Sequence, residues 1–66
     1  MDQKSQLKVI AAGFVIIRTD DSPQPKIKVK DSKSHEWHTY VTNFASKAAR
    51  DRRFAELLKS KTIISD

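Results

Sequence analysis

The chain has 66 residues, a formal net charge of +5 and 38% hydrophobic residues, and it contains no cysteine. A chain of this length makes one domain over residues 1–66 and buries only about 60% of the surface that its unfolded state exposes. The lack of cysteine excludes a disulfide framework and a thiolate metal site, and it fits a cytoplasmic protein. The positive charge favours anionic partners.

An apolar run from Val9 to Ile17 is too short to span a bilayer. The polar residues 18–20 follow it, where a signal peptide would carry small residues before its cleavage site. We therefore expect this run to belong to the core of the domain, and we expect no membrane partner.

Residues 1–12 fit two structures. In one, Ser5 caps a short helix that carries Ile10 on its apolar side and ends at Gly13. In the other, the segment begins a longer strand. The sequence favours the helix, and residues 1–4 are expected to be frayed.

Three segments are typical of strands, and polar turns separate them. The strands are predicted at 14–18, which is rich in Val and Ile, at 26–30, where Lys alternates with Ile and Val, and at 36–42, which is β-branched and aromatic. The turns are predicted at 20–25, which holds two prolines, and at 31–34.

The stretch 46–60 predicts a helix, because residues 47–59 are nearly all strong helix formers. Ser46 is the expected N-cap, with Asn43 as the alternative. Arg52 and Glu56 are spaced to form an ion pair across one turn. The apolar stripe of this helix consists of Phe54, Ala55, Leu57 and Leu58.

The expected fold is α+β, with a three-stranded antiparallel meander, one C-terminal helix packed on one face and the short N-terminal helix as an additional element. The last residues carry two adjacent apolar side chains, Ile63 and Ile64. These side chains either fold back onto their own core or add as an edge strand to a second copy, which would give a homodimer. The local option is favoured.

The alternation of side chains along a strand assigns the two faces of the sheet. Ile27 and Val29 are expected beneath the helix, and we place Trp37 and Val41 with them. For the first strand, the inward residues are either Val15 and Ile17 or Phe14 and Ile16.

The opposite, open face is then expected to hold the candidate nucleic-acid-binding residues. They are Arg18, Lys26, Lys28, Lys30, His38 and Tyr40. Lysine and arginine neutralise phosphates, while an exposed Tyr or His contacts bases. Alternating lysines are also typical of a strand face that is simply solvated.

Nothing in the sequence predicts a catalytic residue, a bound metal or a cofactor. His35 and His38 lie three apart on a strand, so their imidazoles point to opposite faces and do not share a metal ion. Gly13 is the single glycine, so the chain has no glycine-rich phosphate loop. Arg52 and Arg53 fit a solvated helix exterior. The sequence therefore argues against an enzyme.

The order strand, strand, strand, helix, with Phe44-Ala-Ser-Lys-Ala-Ala at the start of the helix, resembles the arm-binding domains of tyrosine integrases and their plant AP2-type relatives. The resemblance covers about residues 14–60. It implies that the sheet face reads the major groove of DNA through Lys26, Lys28, Lys30, His38 and Tyr40. The chain departs from that family in lacking a glycine in the turn 31–34 and in having few strand arginines.

A second resemblance rests on separate motifs along most of the chain. Gly13-Phe14, Lys26-Ile27-Lys28, Trp37, Lys47-Ala-Ala-Arg-Asp-Arg and Leu57-Leu58 are similar to segments of small uncharacterised proteins carried by bacterial mobile elements. That resemblance implies no activity. The leading hypothesis is a small basic, non-enzymatic protein that binds DNA or RNA through the open sheet face. The alternative is a protein-protein interaction or homodimerisation module.

Overall fold

The structure is a computed structural model, and it describes residues 2–66, apart from the side chains of Ser34 and His35. The described residues form two helices and four strands. In chain order these are α1 (Gln3–Ala11), β1 (Val15–Asp20), β2 (Lys26–Asp31), β3 (Ser34–Val41), α2 (Lys47–Leu57) and β4 (Ile63–Ser65). The predicted α+β class is confirmed, and the sheet has one strand more than predicted.

The sheet has the strand order β3-β2-β1-β4. Its first three strands form the predicted antiparallel meander. The last strand, β4, pairs in parallel with β1, so that Ile63 lies beside Val15 and Ile64 beside Ile16. The tail therefore packs on its own chain, as the local option predicts. Because neighbouring residues of a strand point to opposite faces, the two isoleucines contribute to different sides of the sheet.

The N-terminal segment is helical, as favoured, but its cap is Asp2. The Asp2 carboxylate accepts a hydrogen bond of 2.7 Å from the Ser5 backbone N–H, and this bond holds the pKa of Asp2 below its ordinary value. Ser5 therefore lies inside the first turn, and its prediction as the N-cap is wrong. Gln3 and Lys4 also belong to this turn, while Met1 lies outside the described residues.

The helix α1 is terminated by Gly13, as the sequence predicts. Gly13 has φ 99°, a left-handed conformation that costs a residue without Cβ little. The Gly13 N–H donates to the Ile10 carbonyl and the Phe14 N–H donates to the Val9 carbonyl, both at 3.0 Å. This is the paired bonding of a Schellman motif, and it turns the chain directly into β1.

The predicted N-cap of α2 is confirmed, because the Ser46 hydroxyl accepts from the Ala49 N–H at 3.2 Å. Glu56 pairs with Arg53, three residues before it, and not with the expected Arg52. The Arg53 Nη1 atom lies 3.2 Å from Glu56 Oε2. Among the described residues, no helix has the length and apolar content that crossing a membrane requires.

One side of the sheet packs on α2, and we call it the α2 face. Its buried cluster joins Ile17, Ile27 and Val29 to Leu57 of the helix. Partly buried apolar side chains surround this cluster: Val15, Val41, Phe44, Phe54, Leu58 and Ile63. Ile27 and Val29 thus lie where the alternation of β2 predicts.

The other side of the sheet, which we call the α1 face, is partly covered by the N-terminal helix. Ile16 is fully buried on this face, and so is most of Ile10 from α1. The two options for β1 are therefore not exclusive, since adjacent Ile16 and Ile17 are both at 0% exposure. A strand buried on both faces reads as a continuous apolar run, and this run is such a case.

Candidate nucleic-acid interface

The third strand does not alternate regularly, and this irregularity decides where its aromatic residues lie. Its Cα partners in β2 are Val41 with Ile27, Thr39 with Lys28 and His38 with Val29. Tyr40 is therefore an extra residue with no partner in this register. A bulge of this kind reverses which residues share a face on its two sides. Trp37 and Val41 consequently lie on opposite faces, and the prediction that both face the α2 helix is wrong for Trp37.

Trp37 lies on the α1 face with two cations near its ring. The Arg18 Cζ atom is 4.6 Å from the centroid of the Trp37 ring. The Lys30 Nζ atom is 5.8 Å from the same centroid. Both distances lie within the range of a cation–π interaction. The half-buried indole thus connects side chains of β1, β2 and β3.

Lys30 points to the predicted side of the sheet but is not exposed there. It retains 6% of its accessible surface, because α1 covers this part of the face. The Lys30 ammonium donates a hydrogen bond of 3.0 Å to the side-chain oxygen of Gln6, which is itself buried in α1. The prediction of Lys30 as an exposed contact is therefore wrong.

Gln6 extends this contact to Asp66, the residue after β4. Its amide Nε2 donates a bond of 2.8 Å to the Asp66 carboxylate. The other oxygen of Asp66 lies 3.9 Å from Arg18 Nη1. Lys30, Gln6, Asp66 and Arg18 thus form one chain of polar contacts, and its two ends meet on the Trp37 ring.

Lys26 and Lys28 continue the basic surface along β2. Lys28 Nζ lies 3.9 Å from Asp20 Oδ2, and its side chain is 25% exposed. Lys26 is half-buried and pairs in register with Asp20. A hydrogen bond from the Ser22 N–H, together with the nearby lysine charges, holds the pKa of Asp20 below its ordinary value. The surface is therefore basic with acidic residues among the cations.

His38 does not belong to this surface, while Tyr40 is exposed as predicted. His38 pairs with Val29, whose side chain faces α2, so the predicted place of His38 among the lysines is wrong. Its side chain is exposed at the outer strand of the sheet. Tyr40 lies at the bulge and is 51% exposed.

A second basic residue plays a structural part that the sequence does not indicate. Arg50 of α2 is only 5% exposed. Its guanidinium contacts the carboxylates of Asp21 and Asp51 and donates to the Asp20 carbonyl at 3.3 Å. The Arg50 guanidinium holds the pKa of the Asp21 carboxyl below its ordinary value, and Asp21 in turn raises the pKa of Arg50. This clamp ties the first turns of α2 to the turn between β1 and β2.

Of the predicted residues, Arg18, Lys26, Lys28 and Lys30 lie on the α1 face, where Lys30 is buried. Trp37, which lies beside Arg18 and Lys30, was not among the candidates. We call the group of Arg18, Lys26, Lys28 and Trp37 the Trp37 surface. Its aromatic member was missed because the bulge in β3 leaves no trace in the alternation of residues 36–42. The apolar run Val15-Ile16-Ile17 was the available signal that a second helix covers part of this face.

No family model, curated protein or solved structure matches this chain. Over the described residues, no pocket is detected and no group of three or more His, Asp or Glu side chains is placed to hold a metal ion. The side chain of His35, one of the two histidines considered for a metal, lies outside the described residues.

Proposed function

We propose that this protein is a small, basic, non-enzymatic nucleic-acid-binding protein, with DNA as the first ligand to test, and that the Trp37 surface makes the contact. The observation that carries the proposal is the Trp37 ring lying 4.6 Å from the Arg18 guanidinium carbon, on a face that also presents Lys26 and Lys28. Cations of this kind neutralise phosphates, and an aromatic ring beside them offers a stacking partner for a base.

The ion pairs on this surface are weak enough to be exchanged for phosphate contacts. Arg18 and Lys28 each lie 3.9 Å from a carboxylate oxygen, and the Arg18 side chain is 45% exposed. Surface ion pairs with so long a separation stabilise a protein by about 1 kcal/mol or less. A phosphate that accepts two bonds from the Arg18 guanidinium replaces such a pair at little cost.

The proposal keeps the use of a sheet face that the resemblance to arm-binding domains implies, but it changes the contacting residues. Lys30 is buried and His38 belongs to the α2 face, so Arg18 and Trp37 take their places. A cytoplasmic setting forms part of the proposal, and the cysteine-free composition supports it.

The decisive experiment is a titration of the protein with labelled DNA of about two helical turns, as duplex and as single strand. Binding should weaken strongly between about 50 and 200 mM salt, because each neutralised phosphate releases counterions. Trp37 is the single tryptophan of the chain, so its fluorescence reports directly on the proposed surface. Arg18→Gln and Lys28→Gln should each weaken binding and lower the salt slope by about one.

Arg52→Gln and Arg53→Gln are the matched controls, because they remove the same charge from the exposed side of α2. These two variants should change binding less than the sheet variants. No binding of either DNA form at the lower salt would overturn the proposal. If the Arg52 and Arg53 variants weakened DNA binding more than the Arg18 and Lys28 variants, the contact would lie on α2 instead.

A second candidate function is interaction with another protein chain, including a second copy. The observation that favours it is the place of β3 at the edge of the sheet, with Tyr40 exposed on it. The irregular register of β3 acts against strand addition, because bulges disrupt the regular bonding row that an incoming strand needs. A dimer mass in solution that returns to a monomer in Tyr40→Ser would support this candidate.

A further inference from the structure

We propose that Asp66, held in place by Gln6, is an internal counter-ion for Arg18, which a phosphate group of the nucleic acid replaces. The inference rests on the proposed function and adds to it the identity of the phosphate contact. It also gives a role to two residues, one in α1 and one after β4, that lie outside the three-stranded meander.

The two oxygens of the Asp66 carboxylate contact different side chains. Oδ1 accepts the Gln6 amide bond at 2.8 Å, which fixes the position of the carboxylate. Oδ2 lies 3.9 Å from Arg18 Nη1, beyond the length of a hydrogen bond but within reach of an ion pair. Asp66 therefore attracts the guanidinium by charge and leaves the donors of Arg18 available for a stronger acceptor.

Gln6 is suited to this position because its amide both donates and accepts. It takes a bond from the Lys30 ammonium at 3.0 Å through its oxygen and gives one to Asp66 through its nitrogen. A carboxylate at position 6 would accept from Lys30 but would repel Asp66. Gln6 is thus a positioning residue, since it acts on Arg18 through Asp66.

The result is an Arg18 side chain that is oriented before any ligand arrives. Its guanidinium lies over the Trp37 ring, as the 4.6 Å distance indicates, and a stacked guanidinium loses less conformational freedom when it binds. When a phosphate replaces Asp66 at Arg18, the released carboxylate keeps its bond to Gln6. The exchange therefore leaves the buried part of the network intact.

The test uses Asp66→Asn, which keeps an oxygen acceptor for Gln6 and removes the negative charge. Affinity for labelled duplex DNA at low salt should rise about two- to fivefold, the range that the loss of one weak surface ion pair allows. The salt slope should stay close to that of the parent protein, because Arg18 neutralises one phosphate in both complexes. Trp37 fluorescence without DNA should also change, since the Arg18 cation is no longer held from one side.

Glu56→Gln is the matched control. It gives the same net charge, but it lies on the exposed side of α2, where its partner is Arg53. Affinity should rise less than twofold, an effect of overall charge alone, and Trp37 fluorescence should stay unchanged. In a protein that already carries Arg18→Gln, adding Asp66→Asn should raise DNA affinity less than twofold, as Glu56→Gln does.

The outcomes separate the inference from the proposed function. Equal effects of Asp66→Asn and Glu56→Gln on affinity would overturn the counter-ion role while leaving nucleic-acid binding in place. An unchanged Trp37 emission spectrum in Asp66→Asn would overturn the positioning of Arg18, whether or not DNA binds. If neither the parent protein nor Asp66→Asn binds DNA, the proposed function fails. A fluorescence change confined to Asp66→Asn would then still support the contact between Asp66 and Arg18.

Discussion

The two faces of the sheet are covered by helices of similar length, yet the contacts beneath those helices differ in kind. Under α2 the buried cluster is apolar, from Ile17 and Ile27 to Leu57, and the buried Arg50 lies at the end of this face. Under α1 one buried apolar pair, Ile10 and Ile16, lies beside buried polar side chains. The first face is suited to stabilise the domain, while the second holds charged groups in fixed positions at its open border. The packing assigns stability mainly to the α2 face, whereas the proposed function would place ligand contact on the α1 face.

The largest expected effect tests this assignment with two side chains of equal burial. Ile16 and Ile27 both show 0% exposure, and truncation of such a residue to Ala costs about 2–5 kcal/mol. Ile27→Ala should lie at the upper end of that range, because it removes the centre of a large apolar cluster. Ile16→Ala should lie at the lower end, because its surroundings are smaller and partly polar.

Urea denaturation of both variants measures the difference in the free energy of unfolding. Lys28→Ala is the control for β2. Removing its partly exposed side chain should lower the free energy of unfolding far less than removing that of its neighbour Ile27. Equal losses for the two isoleucines, or a larger loss for Ile16, would contradict the division of roles between the faces.

A smaller effect is expected for the two half-buried aromatic residues, one on each face. Trp37→Ala should leave the protein folded and lower its free energy of unfolding by about 1–2 kcal/mol, well below the 3–5 kcal/mol of a fully buried tryptophan. Phe54→Ala, against the α2 cluster, should cost more. DNA affinity should show the opposite order, with a loss of about 1–3 kcal/mol for the variant that lacks the stacking ring. An unfolded Trp37→Ala variant would place the ring in the main core.

The α2 face is the part of the fold that the sequence predicts best. Ile27 and Val29 alternate with lysines, and Phe54 and Leu57 have helical spacing, so each pattern has a single interpretation. The helix cap at Ser46 depends on neighbouring residues alone, and it is also confirmed. The short β4 strand was harder to predict, because Ile63 and Ile64 fit pairing with their own chain as well as with a second copy.

The α1 face was predicted less well, because its structure depends on contacts between residues far apart in the chain. The bond between Lys30 and Gln6 joins positions separated by 24 residues, and the bond from Gln6 to Asp66 spans 60. Local periodicity contains no information about such pairs. The extra residue at Tyr40 has a similar effect, since one bulge moves Trp37 to the other face without changing the pattern of residue types.

The smallest expected effect concerns the charged clamp at the end of the α2 face. Because Arg50 lowers the pKa of Asp21 in the folded state, the unfolded state binds the proton more readily. The pair therefore contributes stability that is fully present above the unfolded pKa of about 3.9. That contribution is lost as the pH falls from about 4 through the lower folded pKa. Asp2 and Asp20, whose folded pKa values are also lowered, should contribute to the loss over the same range.

Asp21→Asn should remove one part of this acid dependence, so that the stability of the variant and that of the parent converge as the pH falls below about 4. Arg50→Gln should remove the same part, and the double variant should flatten the profile no further than Arg50→Gln does, because both changes break one interaction. Thermal unfolding between about pH 7 and pH 2 measures the three profiles against the parent protein. If the stability of Asp21→Asn changed with pH in parallel with that of the parent protein, Asp21 would not be the acid-sensitive partner of Arg50. The clamp would then depend on Asp51 and the Asp20 carbonyl, which are the other groups that Arg50 contacts.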